Sequence, residues 1–218
     1  MVDDGRWMMD WGRAYFGGML ANLSYPLDFR FKVLALAPQF VVTDATGAEV
    51  AYIKQKLFKL KEEVKVYTDS MQTELAYGIN ADRWLDWSAS YRFTTPSGQD
   101  VGRVARHGAR SLWKASYDVI DAAGEQRFTI RERSAATRFF DNLLGEIPVL
   151  GLFTGYVFNP VYDVRDAAGE VVAEFSKTPS AIGRRFRLEA KRTDLSDEAQ
   201  TQIVLSLMMM VLLERGRG

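Results

Sequence analysis

The sequence predicts a mainly β protein: about twelve antiparallel strands closed into a barrel around a central, hydrophobic C-terminal α-helix. A short helical insertion and a helical N-terminal segment complete the expected architecture. Three observations lead there. A strand–turn–strand pattern repeats along the chain, the repeats add up to the right number of strands, and the most apolar stretch has the length and breadth of a plug.

The repeat comes first. Phe40 to Gly47 (FVVTDATG), Tyr91 to Gly98 (YRFTTPSG), Tyr117 to Gly124 (YDVIDAAG) and Tyr162 to Gly169 (YDVRDAAG) each run from an aromatic through alternating apolar residues to a polar turn and a glycine. Asp and Gly bracketing a short polar stretch is hairpin chemistry, because glycine accepts the positive φ that the turn demands. Lys65 to Gln72 (KVYTDSMQ) is a fifth copy without the aromatic or the glycine. The position held by Asp44, Asp69, Thr95, Asp121 and Asp166 recurs at spacings of 25, 26, 26 and 45 residues. Removing the 19 residues of Ser134 to Leu152, which differ in character, returns 45 to 26. A fixed period of this size marks a repeated supersecondary unit. The chain therefore reads as five hairpins with one helical insertion, Ala135 to Leu144.

Five hairpins supply ten strands. Phe29 to Leu36 adds one before them and Arg184 to Arg192 one after, giving twelve. In the last, Phe186, Leu188 and Ala190 share one face while Arg185, Arg187, Glu189 and Lys191 share the other. That is the period-2 pattern of a strand with one buried face.

Such strands can form a sandwich or a barrel, and the C-terminal segment decides between them. Ile203 to Leu213 (IVLSLMMMVLL) has only Ser206 polar. It falls short of the roughly 20 apolar residues of a membrane span. A helix over 197–214, N-capped by Ser196 and led by Asp197 and Glu198, would be about 27 Å long and about 10 Å wide. It is apolar all round, so the face of a sandwich would leave one side wet. An eight-stranded barrel is too narrow for it, whereas barrels of about eleven strands do enclose a helix. Met208, Met209 and Met210 suit an irregular interior.

Composition bounds the function. Lys+Arg and Asp+Glu both number 28 in the 218 residues, which disfavours a nucleic-acid binder. There is no cysteine, so thiol catalysis, Cys-zinc sites and acylation at cysteine are excluded. No nucleotide loop, nucleophile elbow or metal-ligand spacing occurs, and the sequence implies no cofactor and no metal. His107, the sole histidine, lies among Arg103, Arg106, Arg110 and Lys114 with no orienting acid in its motif, and reads as a surface residue. We expect no catalytic residues and no enzyme activity. Asp3, Asp4 and Asp10 interrupt any secretory signal, so the expected location is cytoplasmic, peripheral to the inner face of a membrane.

Two features offer binding surfaces. Residues 1–27 form an N-terminal appendage to a barrel domain over 28–218. In the appendage Trp7, Trp11, Tyr15, Met19 and Leu23 recur every fourth residue as an amphipathic stripe for docking on a partner or a membrane. Three basic clusters stand out: Lys54, Lys56, Lys59, Lys61 and Lys65; Arg103, Arg106, Arg110 and Lys114; Arg184, Arg185, Arg187, Lys191 and Arg192. They are solvated strand edges or, if they converge, a patch for phosphates.

Gln55 to Leu60 (QKLFKL), the charged stretch after it and Val66-Tyr-Thr-Asp69 resemble the recurrent pattern of the LURP-one-related family. The Asp-x-x-Gly hairpins and the apolar C-terminal helix fit as well, over about residues 27–215. That family groups with the tubby C-terminal domain and the phospholipid scramblases. The resemblance implies a twelve-stranded barrel around a hydrophobic helix. For function it implies a non-enzymatic scaffold for anionic phospholipid headgroups, alternatively a structural or regulatory protein-interaction module, and thirdly scramblase-like lipid handling. Without cysteine the acylation of scramblases has no counterpart here.

Overall fold

The computed structural model describes residues 20, 22–31, 39–55, 63–82, 90–107, 116–133, 160–180 and 183–215. Twelve strands form one closed antiparallel barrel: β1 (Leu27–Phe31), β2 (Gln39–Thr43), β3 (Glu49–Gln55), β4 (Glu63–Tyr67), β5 (Leu75–Asp82), β6 (Ser90–Thr94), β7 (Asp100–His107), β8 (Ser116–Ile120), β9 (Gln126–Glu132), β10 (Val161–Asp166), β11 (Val171–Thr178) and β12 (Arg185–Ala190). Each strand pairs with its neighbours in sequence, and β1 closes the ring by pairing with both β2 and β12. A single helix, α1 (Asp197–Arg215), follows. The expected insertion helix at 135–144 and the N-terminal helical segment lie outside the described residues.

All five repeats fold into the same turn. The amide of Gly47 donates to the Asp44 carbonyl, and Gln72, Gly98, Gly124 and Gly169 do the same to Asp69, Thr95, Asp121 and Asp166. The glycines sit at φ of 84° to 89° and Gln72 at 60°. The fifth copy thus keeps the fold at the expense of a left-handed non-glycine residue. The side chain at the Asp position holds the turn from below: Ala48, Thr73, Gln99, Glu125 and Glu170 each donate an amide to it. Thr95 replaces the carboxylate with a hydroxyl in the same role.

Every one of these hairpins carries a register shift just after its turn, leaving Val50, Ala76, Val101, Arg127 and Val172 as the extra residues. Such bulges bend the strand and reorient backbone groups. Two of the freed carbonyls hold the plug. Val101 accepts a 2.9 Å bond from Gln202 Nε2, and Val172 accepts from the amides of Lys191 and Arg192 that lead into the helix.

Residues 201–212 of α1 are all buried, which is more than three full turns. A helix with no wet side must be surrounded, and the inner faces of all twelve strands share its core. Ser196 caps it, accepting from the Ala199 amide at 3.2 Å. The helix runs nearest β7 and β8, where Gly102 and Val104 face inward. On the opposite wall Phe29, Phe40, Phe175 and Phe186 fill the remaining width, with Phe175 stacked on Phe186 at 5.2 Å.

The barrel has two unlike ends. The five repeat turns are all at one, the turn end. There α1 enters and Leu20, buried in the core, precedes β1; the Ala45 amide donates to the Ser24 carbonyl. Strands β1, β3, β5, β7, β9 and β11 all run to the far end, where the longer connections depart.

Candidate anion-binding rim

The basic clusters do not share a side of the barrel. Around the ring β12 and β3 are three positions apart, β3 and β7 four, and β7 and β12 five. Within β7, Arg103 and Arg106 also face opposite ways, as a period of two requires. Arg103 is outside, 3.9 Å from Asp82. Arg106 is inside, beside Tyr117 across β8, only 8% exposed, and its Nε has no hydrogen-bond partner among the described residues.

The third cluster divides by partner. Arg187 donates to both carboxylate oxygens of Asp28 from Nε and a terminal nitrogen, at 2.9 and 3.1 Å. That hydrogen-bonded carboxylate raises its pKa. Lys191 lies 3.1 Å from Glu189 and 3.9 Å from Glu174. Arg192 is held by Asp194 and Asp166, and the Asp194 contact pushes its pKa up. Arg184 and Arg185 are exposed and have no acid partner among the described residues. Lys54 is on the outer face of β3, opposite Lys65. Lys56, and the stripe residues Trp7, Trp11, Tyr15 and Met19, lie outside the described residues.

Arg184 and Arg185 lie at one end of the barrel, and so do most of the other basic residues of the described strand ends. Consider the two residues at each strand end and the described stretches adjoining them, the helix left aside. The far end carries eight basic side chains: Arg30, Lys54, Arg106, Arg131, Arg133, Lys177, Arg184 and Arg185. Two acids with described side chains oppose them, Asp82 and Glu132, and Glu63 begins β4 at the same end. The turn end carries twelve acids against four bases, Arg127, Arg165, Lys191 and Arg192. Among the described residues the strand ends are thus sorted into a basic rim and an acidic one.

Several carboxylates of the acidic end are satisfied within it. Asp44 accepts from the hydroxyl and amide of Thr46, which hold its carboxyl below the ordinary range. Asp69 is lowered in the same way by Thr73. These carboxylates are occupied as turn ligands. On the outer wall the ion pairs are also mutual: Arg133 donates to Asp163 at 2.5 Å and to Glu174 at 2.9 Å, and Arg165 donates to Asp163 at 2.8 Å.

Arg30 and Lys177 were not among the residues singled out by clustering. Arg30 sits alone between two phenylalanines of β1, and only the barrel closure sets it against Arg185 on β12. Its outward position in Phe29-Arg30-Phe31 was the available signal. Among the described residues, no group of three or more His, Asp or Glu is placed to hold a metal ion, and no helix is long and apolar enough to cross a membrane. Neither the protein-family models nor the curated proteins compared with this chain match it.

Proposed function

We propose that this protein is a non-enzymatic scaffold that binds anionic phospholipid headgroups at a membrane surface through its basic far rim. The sorting of charge along the barrel axis carries the reading. Exposed guanidinium groups without carboxylate partners are ready to form bidentate bonds to phosphate oxygens. The acidic turn end is repelled by the same surface, so the two ends together would orient the barrel. The likeness of QKLFKL and the Asp-x-x-Gly hairpins to LURP-one-related and tubby-like proteins supports the same proposal.

Flotation with vesicles tests it. The chain should rise with vesicles containing anionic lipid and stay down with neutral ones, and added salt should release it. Reversing Arg184 and Arg185 to Glu should remove the binding with the fold intact by circular dichroism. Flotation independent of lipid charge would overturn the proposal.

A second reading is a protein-interaction module that uses the N-terminal stripe. Leu20, the described residue nearest to that stripe, is buried in the core at the turn end, opposite the basic rim. A partner held there would not compete with lipid.

A further inference from the structure

Within the basic rim, the geometry points to one defined oxyanion site, formed by Arg30 and Arg185 with Arg184 and Thr178, for a phosphate monoester. This rests on the rim reading above and narrows it to a pair of side chains.

Arg30 and Arg185 are direct cross-strand partners on β1 and β12. Both are exposed, and both are on the outer face, since Phe29 and Phe186 beside them point inward. Directly opposed residues stand with Cβ atoms about 5 Å apart, and like charges in that position repel. Three other like-charged neighbours on the outer wall are neutralised. Arg92 faces Arg103, with Asp82 within 3.3 Å of Arg92 and 3.9 Å of Arg103. Asp163 faces Glu174, and Arg133 donates to both. Glu174 in turn faces Glu189, and Lys191 sits between them.

The Arg30–Arg185 pair has no such acid among the described residues. Asp28, two residues along β1 on the same face, is already held by both ends of the Arg187 fork. The flanking outward positions are neutral: Thr178 opposite Arg185 on β11, and Val41 opposite Arg30 on β2. The backbone is fixed right up to the rim, because Phe31 donates its amide to the Arg184 carbonyl at 3.2 Å. The missing counter-charge is therefore a ligand's. Two guanidinium forks this far apart span one tetrahedral oxyanion, and the Thr178 hydroxyl can donate a further bond. A monoester dianion matches two cations better than a diester monoanion does. The same dianionic phosphate group is carried by a monoester lipid headgroup and by free phosphate.

The test uses the full chain and three single substitutions, Arg30→Gln, Arg185→Gln and, at the turn end, Arg127→Gln. Inorganic phosphate should raise the Tm of the wild type and of Arg127→Gln. In Arg30→Gln and Arg185→Gln its affinity should fall by at least about tenfold. Without phosphate these two variants should melt about 1–3 °C higher than wild type, because a repulsion has been removed. The same proteins are floated on vesicles containing phosphatidic acid or phosphatidylserine. Preference for phosphatidic acid, lost in the two rim variants, identifies the lipid as the source. Phosphate binding lost in those variants, with no flotation of the wild type, keeps the site but overturns the membrane reading. Wild-type flotation shared equally by both variants, or a wild-type Tm indifferent to phosphate, overturns the site.

Discussion

The turn end and the far end of this barrel are made from opposite kinds of sequence. At the turn end one short motif is used five times, and its charges are spent on backbone amides: Asp44, Asp121 and Asp166 each accept from the amide four residues on. At the far end nothing repeats, and several cations have no partner. The comparison teaches that charge can be structural at one end and available at the other. What distinguishes them is the bonding around each group. Net charge, which is zero, describes neither.

The largest expected effect would break both ends at once. Met209 is fully buried in the plug, so Met209→Lys places an unpaired cation in the core. A buried unpaired charge costs several kcal/mol against a total stability of about 5–15 kcal/mol. The cooperative unfolding transition should disappear in a thermal melt followed by circular dichroism.

Next comes a graded series at the turn end. Gly102 has φ of 125°, and a Cβ there would meet the Ile120 carbonyl oxygen at 2.5 Å. Gly124 has φ of 89° with nothing within 4 Å. Gly102→Ala should therefore cost about 3 kcal/mol or more, adding a backbone clash to an unfavourable φ, and Gly124→Ala about 1 kcal/mol. Gln72→Gly should stabilise by up to about 1 kcal/mol, since it restores glycine to the one turn that lacks it. Urea denaturation of the three variants checks the order. Equal costs for the two alanine variants would show that the close approach at Gly102 does not matter.

The smallest effect concerns acid. The carboxyls of Asp44, Asp69 and Asp194 are held below their ordinary value of 3.8 in the folded protein. Their contribution is complete above the unfolded value and is lost as pH falls through the lower folded one. Amides of the turns, such as Gly47 and Gln72, should lose hydrogen-exchange protection as pH drops below about 4. Rim amides such as Phe31 should keep theirs longer. Simultaneous loss would erase the distinction between the ends.

The turn end was legible because its determinants are local. Asp and Gly three residues apart fix a hairpin without help from the rest of the chain, and the period of the repeat carries the reading to Thr95–Gly98 and Asp69–Gln72, so five hairpins, twelve strands and a capped plug could be read directly. The rim was not legible for the converse reason. Arg187 and Asp28 are 159 positions apart, and their pairing depends on which strand closes the ring. A run such as Arg184, Arg185 and Arg187 looks uniform in sequence, yet closure neutralises the third and leaves the first two. Arg30 and Arg185 become neighbours only by that same closure. The separation of Arg103 from Arg106 could have been read from strand alternation alone.

The order of the elements along the chain sets a constraint on biosynthesis. The plug follows all twelve strands, and β1 needs β12 as well as β2. While a ribosome is still making the protein, each emerging hairpin carries an oily face with nothing to cover it. Neither closure nor filling can occur before residues near 200 have left the exit tunnel. The protein must therefore spend its nascent life as an unsealed, adhesive sheet, and its yield in a cell should depend on chaperones that shield that surface until the final segment arrives.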